Sequence, residues 1–355
     1  MQKRKTTVLT LLLCLLCAGC AIAEEAGPDI GYLLALQGVR ESAGGWLTAV
    51  MQFFTALGEA APPMLVASAL FWAVDERAGV RVLLFNAVGH VVNQFLKITC
   101  CVYRPWIRDA RITPVPAAMT TATGYSFPSG HTVNAGAWTM GLGGCLKEKC
   151  AKKGGRIAVM AASTAVWLLV GFSRNFLGVH TPQDVGVMIL LMLPLMYLCE
   201  KALAWAEKGG RRELIFSGAC ALLAVALAVY ASCKSYPVDY DASGALLVDP
   251  ALMIRDTFTT AGLMLGFAAG WLCSRRWIRF DRKGALGLRI LRALIGCAVL
   301  LGAELLLKKP FTAALGAQWG RFALAALEAL IVLALYPLCI RAVQARRQKN
   351  AAVSG

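Results

Sequence analysis

Nine predominantly apolar stretches, most of them about as long as a bilayer's hydrocarbon core requires of a helix, constrain this chain more than any other feature. They lie near 56–74, 80–98, 131–146, 157–172, 184–203, 213–232, 257–273, 288–307 and 322–340. Of the 355 residues, 58% are hydrophobic and 16% charged, and the mean hydropathy is +0.62. A soluble domain with that balance would expose large apolar patches. A β-barrel is excluded because barrel strands alternate apolar and polar residues in segments of about ten, whereas these runs are continuous. The expected fold is therefore all-α: a polytopic transmembrane helical bundle.

The formal net charge of +16 would suit a nucleic-acid binder, but its placement argues against one. Lys and Arg cluster around 77–81, 147–156, 201–212, 275–292 and 341–349, in alternate loops, as the positive-inside rule requires of cytoplasmic loops. The partner this implies is the lipid bilayer, with no nucleic acid, and the expected location is the cell membrane, crossed many times. The intervening loops, which hold Arg104, His131 and His180, then face the extracytoplasmic side. Residues 1–23 agree: Lys3-Arg4-Lys5, an apolar stretch from Val8 to Ala18 and Ala21-Ile22-Ala23 have the layout of a secretory signal peptide, cleaved after Ala23 or kept as an N-terminal anchor. Lipidation at Cys20 is disfavoured, since Cys17 stands where a lipoprotein signal normally has Leu. The 13 cysteines are scattered, most of those beyond the signal lying in apolar runs, and form neither a disulfide framework nor a zinc pattern.

Against this background three polar segments stand out, and two of the chain's three histidines fall in them. Lys97 closes one apolar run and Arg104-Pro105 follows at its mouth, where proline ends helical continuation. Asn86, His90, Asn93 and Lys97 recur at helical spacing, so one face of a membrane helix is polar and must line protein or a wet cavity. His90 itself reads as a hydrogen-bonded interior residue. Pro128-Ser129-Gly130-His131 has the composition of a helix start, where unpaired backbone N–H groups cradle an anion, Gly130 allows close approach and Ser129 adds a donor. In the third segment Ser173-Arg174 precedes His180, and Thr181-Pro182-Gln183-Asp184 reads as an N-cap, a first-turn proline and a capping acid. Asp184 can also orient the His180 ring, and Arg174 supplies a further cation for phosphate. Trp106, Tyr125 and Phe127 are expected near the outer headgroup level, as a pocket rim. Lys308, Lys309 and Arg321 lie on the outer side against the charge rule, which suggests contacts to anionic headgroups.

With Lys97-x6-Arg104-Pro105, Pro128-Ser129-Gly130-His131 and Ser173-Arg174-x5-His180-x3-Asp184 in order, the chain resembles the type 2 phosphatidic acid phosphatase (PAP2) superfamily. The motifs span about a quarter of the chain, inside an expected core of residues 30–205 of the six-helix type. Residues 206–355, after the basic turn Glu207–Arg212, read as additional transmembrane helices. The resemblance implies hydrolysis of a phosphomonoester or pyrophosphate with no metal and no cofactor. It assigns His180 as the nucleophile that becomes a phosphohistidine, Asp184 as its orienting partner and His131 as the general acid and base. Lys97, Arg104, Ser129, Gly130 and Arg174 hold the phosphate oxygens. A lipid phosphate is the expected substrate partner, with undecaprenyl pyrophosphate the leading candidate; phosphatidic acid, phosphatidylglycerophosphate, lipid A phosphates and a sugar phosphate are alternatives. A vanadium haloperoxidase would use the same oxyanion pocket, and a silent transporter or scaffold would explain the extra helices. The sequence leaves the oligomeric state open.

Overall fold

The computed structural model describes residues 28–354, with side chains to 350; the signal-like segment, with Cys17, Cys20 and Ala23, lies outside the described residues. The described residues are helical almost throughout, with a single isolated bridge, Tyr240 to Leu246, outside the helices. The chain is an all-α transmembrane bundle, as its apolar runs predict. Among the described residues five helices are long and apolar enough to cross a bilayer: Lys153–Phe176, Pro182–Ala206, Arg211–Cys233, Pro250–Trp277 and the continuous stretch Leu286–Asn350. A bent pair, Gly45–Ala56 and Ala61–Ala73, meeting at 49°, makes a sixth if it is one broken span.

Two further predicted spans form helices of full length but are not apolar enough to be among these: Glu76–Cys100 and Gly130–Lys149. The reason is chemical. Their sequences spend positions on Asn86, Asn93, Lys97, His131, Thr132 and Asn134, and all six are buried in protein, away from the lipid that could not solvate them.

The described residues divide into two compact units, each assembled from three stretches: 28–63, 88–198 and 233–253 in one, and 64–87, 199–232 and 254–354 in the other. In the first unit we label the helices α1 (Pro28–Ala43), α2 (Gly45–Ala56), α4 (Glu76–Cys100, shared with the second unit), α7 (Gly130–Lys149), α8 (Lys153–Phe176) and α9 (Pro182–Ala206, its tail in the second unit). The short turns Pro105–Arg108 and Pro116–Met119 are α5 and α6, and Ala61–Ala73 is α3. Helix α8 packs on α7 and also meets α1 and α2. The α7–α8 approach is close because Gly136 has no side chain: a Cβ there would sit 2.6 Å from the Trp167 ring, whose Nε1–H donates to the Thr132 carbonyl at 2.8 Å.

Helices α1 and α2 had no counterpart among the predicted spans, and α1 clamps the loop after α4. Asp29, 2% exposed, pairs with Arg108 at 2.7 Å. Arg40 donates to the carbonyls of Thr113 at 2.5 Å and Phe176 at 3.1 Å, and Gln37 accepts from the Thr113 N–H at 2.9 Å. These contacts tie residues 108–113 and the end of α8 to one helix, and so fix the backbone on which Arg104 stands.

The second unit contains α10 (Arg211–Cys233), α11 (Pro250–Trp277), α12 (Leu286–Leu330), the wide turn Ile331–Leu335 and α13 (Tyr336–Ser354). Helix α12 is broken at Gly316, which adopts φ 79°, a conformation L side chains avoid. Arg321 reaches Glu304 at 2.8 Å; on a straight helix seventeen residues would separate them by about 25 Å, so the chain reverses at the break. That explains why two spans, 288–307 and 322–340, were legible where one continuous helical stretch is found. It also bears on the headgroup expectation: Arg321 and Lys308 both meet Glu304, at 2.8 and 3.5 Å, so a single carboxylate answers two of the three cations named there. Gly262 and Gly266, four apart on α11, bring its backbone against that of Phe322 and Ala326, the close packing small residues permit between membrane helices. In the wide turn the Val332 carbonyl accepts from Trp72 Nε1–H at 2.8 Å, a partner for a group the widened turn frees.

Candidate active site

The two polar helix starts are built by local sequence. At α9, Thr181 N–H donates to Asp184 Oδ2 at 2.8 Å, and Asp184 N–H donates back to Thr181 Oγ1 at 3.3 Å. This is a reciprocal capping box with an aspartate in the acidic position. Pro182 opens the helix, as its missing donor and fixed φ favour. At α7, Pro128 and Ser129 lead into a helix that starts at Gly130; Ser129 occupies the cap position, but its hydroxyl makes no cap bond. The two starts are joined directly, since the Ser129 N–H donates to the Asp184 carbonyl at 3.0 Å.

Lys97, Arg104, Ser129, His131, Arg174, His180 and Asp184 are all at most 8% exposed. Asp184 Oδ2 accepts from His180 Nδ1 at 3.0 Å and from the Ser126 hydroxyl at 2.5 Å, in addition to the Thr181 N–H. On the other side of the ring, Arg104 donates to His180 Nε2 at 3.0 Å. A guanidinium has no acceptor to offer, so Nε2 must hold a lone pair and Nδ1 the proton. The geometry thus selects one tautomer of a neutral His180, with its basic nitrogen turned toward cations.

Arg104 explains much of the loop architecture. Its Nε donates to the Gly124 carbonyl, one terminal nitrogen to the Val179 carbonyl and to His180, and the other to the Thr123 carbonyl, each at 3.0 Å. Of its five donors, four are engaged and one remains. Burial pushes this guanidinium down to about 10, against the raising effect of Asp184, so it stays cationic at neutral pH. Arg174 is the reverse case: fully buried, it gives one nitrogen to the Thr55 hydroxyl at 2.7 Å, while Nε and the other terminal nitrogen have no partner. The Ser129 hydroxyl is also buried without a partner. Unpartnered buried donors are costly, by about 1–3 kcal/mol each, unless an anion completes them.

Lys97 Nζ donates to the Tyr125 carbonyl at 3.1 Å and Asn93 to the Pro128 carbonyl at 2.9 Å, so the polar stripe of α4 holds the segment leading into α7. His90 is a structural residue, as expected: its Nε2 meets Asn134 at 2.6 Å, and Asn134 donates onward to the Gly58 carbonyl. His131 Nε2 lies 3.5 Å from the Thr121 hydroxyl and within electrostatic reach of Arg174, His180, Arg104 and Lys97. Gly130 is not required by crowding, because an added Cβ would meet His90 and Asn93 only at 3.7 and 3.8 Å. Among the described residues no three His, Cys, Asp or Glu side chains converge as metal ligands.

Two expectations change. Tyr125 and Phe127 are fully buried, so they are interior packing on either side of Ser126 and not a rim. Trp106 is half-buried, with the Arg104 guanidinium 5.9 Å from its ring centre. Sequence reasoning missed Ser126 and Thr55. Ser126 could have been suspected from its place two residues ahead of Pro128, whereas nothing local marks Thr55.

Burial lowers the His180 pKa well below the ordinary value, and Arg104, Arg174 and Lys97 lower it further. For His180 to act as a nucleophile it must be unprotonated, and that role predicts reactivity complete above the lowered value and lost only as pH falls through it. We therefore expect the acid limb of kcat/KM to lie below pH 6.5, the ordinary value for His. Lys97→Met, which removes one repelling cation, should move the limb upward; a limb at or above pH 6.5, or one unmoved by the substitution, would refute this account.

The fold and site thus define an all-α membrane protein with a buried His180–Asp184 pair beside Lys97, Arg104 and Arg174, the last with donors to spare. The PAP2 superfamily model matches residues 78–208, and the model described as PAP2 superfamily phosphatase, transmembrane extension, matches residues 258–348. The phosphatidylglycerophosphatase B of Haemophilus influenzae is 41% identical over 70 residues, covering 19% of this chain and 29% of that protein. The phosphatidylglycerophosphatase B of Bacillus subtilis is 31% identical over 147 residues, covering 39% of this chain and 67% of that protein. A solved structure of the Bacillus subtilis transmembrane PAP2 type phosphatidylglycerolphosphate phosphatase is 26% identical and covers 55% of this chain and 94% of that one, with a TM-score of 0.45. The chain belongs to the PAP2 superfamily.

Proposed function

We propose that this chain is an integral-membrane, metal-independent phosphatase that hydrolyses a lipid phosphate on the extracytoplasmic face through a phosphohistidine. The observation that carries the proposal is the His180 ring, whose Nε2 lone pair is fixed by Asp184 behind it while Arg104 and the free donors of Arg174 stand ready for phosphate. In the first step Nε2 attacks phosphorus, the P–N bond forms and the bond to the lipid oxygen breaks. His131 gives its proton to that oxygen; the arriving phosphate dianion favours the imidazolium it needs. In the second step neutral His131 takes a proton from water, the hydroxide attacks phosphorus, and the P–N bond breaks to return neutral His180 and inorganic phosphate. Lys97, Arg104, Ser129, Gly130 and Arg174 bind the phosphoryl oxygens, where preorganised positive charge stabilises the transition state most.

Phosphatidylglycerophosphate is the first substrate to try, because both curated relatives carry that activity in their names. Undecaprenyl pyrophosphate, favoured by the sequence alone, shares the chemistry and belongs in the same test. The purified chain should release phosphate from a panel of phosphatidylglycerophosphate, isoprenoid pyrophosphates, phosphatidic acid and sugar phosphates in the presence of EDTA. Release that needs an added metal, or no release from any lipid, would overturn the proposal. Protection of a cysteine introduced near residue 115 from an impermeant external reagent would overturn the orientation.

A further inference from the structure

The second unit contains a polar cavity of about 730 Å³ that the catalytic proposal does not use. It is walled by the turn between α9 and α10, the start of α10 and the end of α11 with the loop that follows. Its carboxylates are already matched. Glu213 takes Arg275 and Arg276 at 3.3 and 3.4 Å, Glu76 takes Arg282 at 2.9 Å, and Glu207 takes Arg77 at 3.4 Å. Two lining cations are left over: among the described residues the side chains of Lys208 and Arg279 form no hydrogen bond or ion pair.

An independent observation points the same way. Ser274, 3% exposed and on the cavity wall, has a buried hydroxyl with no partner. Ser68, Thr139, Ser173 and Thr260 satisfy their buried hydroxyls on a carbonyl one helical turn back, whereas Ser274, on the wall of a polar space, leaves its own unused and available for a ligand. Gly209 and Gly210, with φ of 85° and 66°, turn the chain into α10, so the first N–H groups of a 23-residue helix open beside Gly209. The positive-inside rule accounts for basic residues in these loops but not for a walled cavity, surplus cations and an unused hydroxyl in one place.

We infer that this cavity is a second oxyanion site, in which Lys208, Arg279 and the Ser274 hydroxyl hold a phosphate group. The ligand is a phosphate-bearing anion, either the headgroup of an anionic phospholipid or free phosphate. Because Lys208 and Arg279 hold nothing else, the Lys208→Ala/Arg279→Ala double variant should fold normally and turn over substrate at the wild-type rate. Equilibrium dialysis of the full chain in neutral detergent with radiolabelled inorganic phosphate should find two phosphates per wild-type chain and one per double variant. Ser274→Val should weaken the second site about tenfold. If the source is lipid, native mass spectrometry of protein taken from phosphatidylcholine vesicles containing phosphatidylglycerol should find an anionic lipid retained by the wild type and lost from the double variant. Equal phosphate stoichiometry together with equal lipid retention in the two proteins would overturn the site.

Discussion

Replacing His180 with alanine should lower lipid-phosphate hydrolysis by about 10⁴-fold or more, the scale on which removal of a covalent nucleophile acts. The fold should survive. Arg104 would lose its bond to Nε2 but keep the carbonyls of Thr123, Gly124 and Val179, and Asp184 would keep Ser126 and Thr181. Wild-type protein denatured in alkaline detergent after incubation with labelled substrate should carry an acid-labile, base-stable label, as a P–N bond does, and the variant should carry none. A comparison with His131→Ala separates the two histidines. A general acid contributes about 10²–10⁴-fold, and its absence matters less when the leaving group needs no proton. An aryl phosphate with an acidic phenol should therefore partly rescue phosphoenzyme formation in His131→Ala and leave His180→Ala inactive. Equal rescue of both, or label retained on His180→Ala, would refute the division of labour.

The parts of this site that depend on local chemistry were readable in the sequence. Thr181-Pro182-x-Asp184 announces a helix start because its capping interactions are made within three residues, and Pro128-Ser129 does so by residue type alone, since the Ser129 hydroxyl makes no cap bond. The stripe from Asn86 to Lys97 announces a covered polar face because a helix repeats every 3.6 residues. Other parts were not readable, because they are set by contacts across long sequence separations. Thr55 holds Arg174 from 119 positions away, and Arg40 reaches Phe176 across 136. No periodicity records such pairs. Tyr125 and Phe127 misled for a related reason: aromatic residues suit both a headgroup belt and a core, and only packing decides which.

Arg104 shows how the two levels meet. As one member of a motif it reads as a phosphate ligand, yet three of its donors are committed to backbone carbonyls. It is as much the pin that joins residues 123–124 to residue 179 as a binding cation. Its function then lies in where the remaining donors point. The one now on His180 Nε2 engages the lone pair that the proposed attack requires, so on that proposal substrate displaces this contact as it binds.

Asp184→Asn should cost about 10²–10⁴-fold in kcat while leaving the structure in place, the pattern expected when a buried acid orients a catalytic histidine. The shape is conserved, but an amide differs from a carboxylate in what it can accept. Asp184 Oδ2 receives three donors: His180 Nδ1–H, the Ser126 hydroxyl and the Thr181 N–H. An asparagine oxygen in that place keeps the cap, whose full loss would cost about 1 kcal/mol, but it cannot offset the positive charge that His180 gains as the P–N bond forms. If the amide instead turns its NH₂ to the ring, His180 must accept at Nδ1 and carry its proton on Nε2, which removes the nucleophile outright. Either way the loss falls on kcat, and phosphate affinity, read from product inhibition, should change by less than about threefold, since none of the phosphate donors is removed. Ser126→Ala provides the graded control. It deletes one of the three donors to the carboxylate while Asp184 keeps its charge, so its effect should be well below that of Asp184→Asn. Wild-type kcat in Asp184→Asn, or a loss appearing only as weaker phosphate binding, would show that the carboxylate is a helix cap and nothing more.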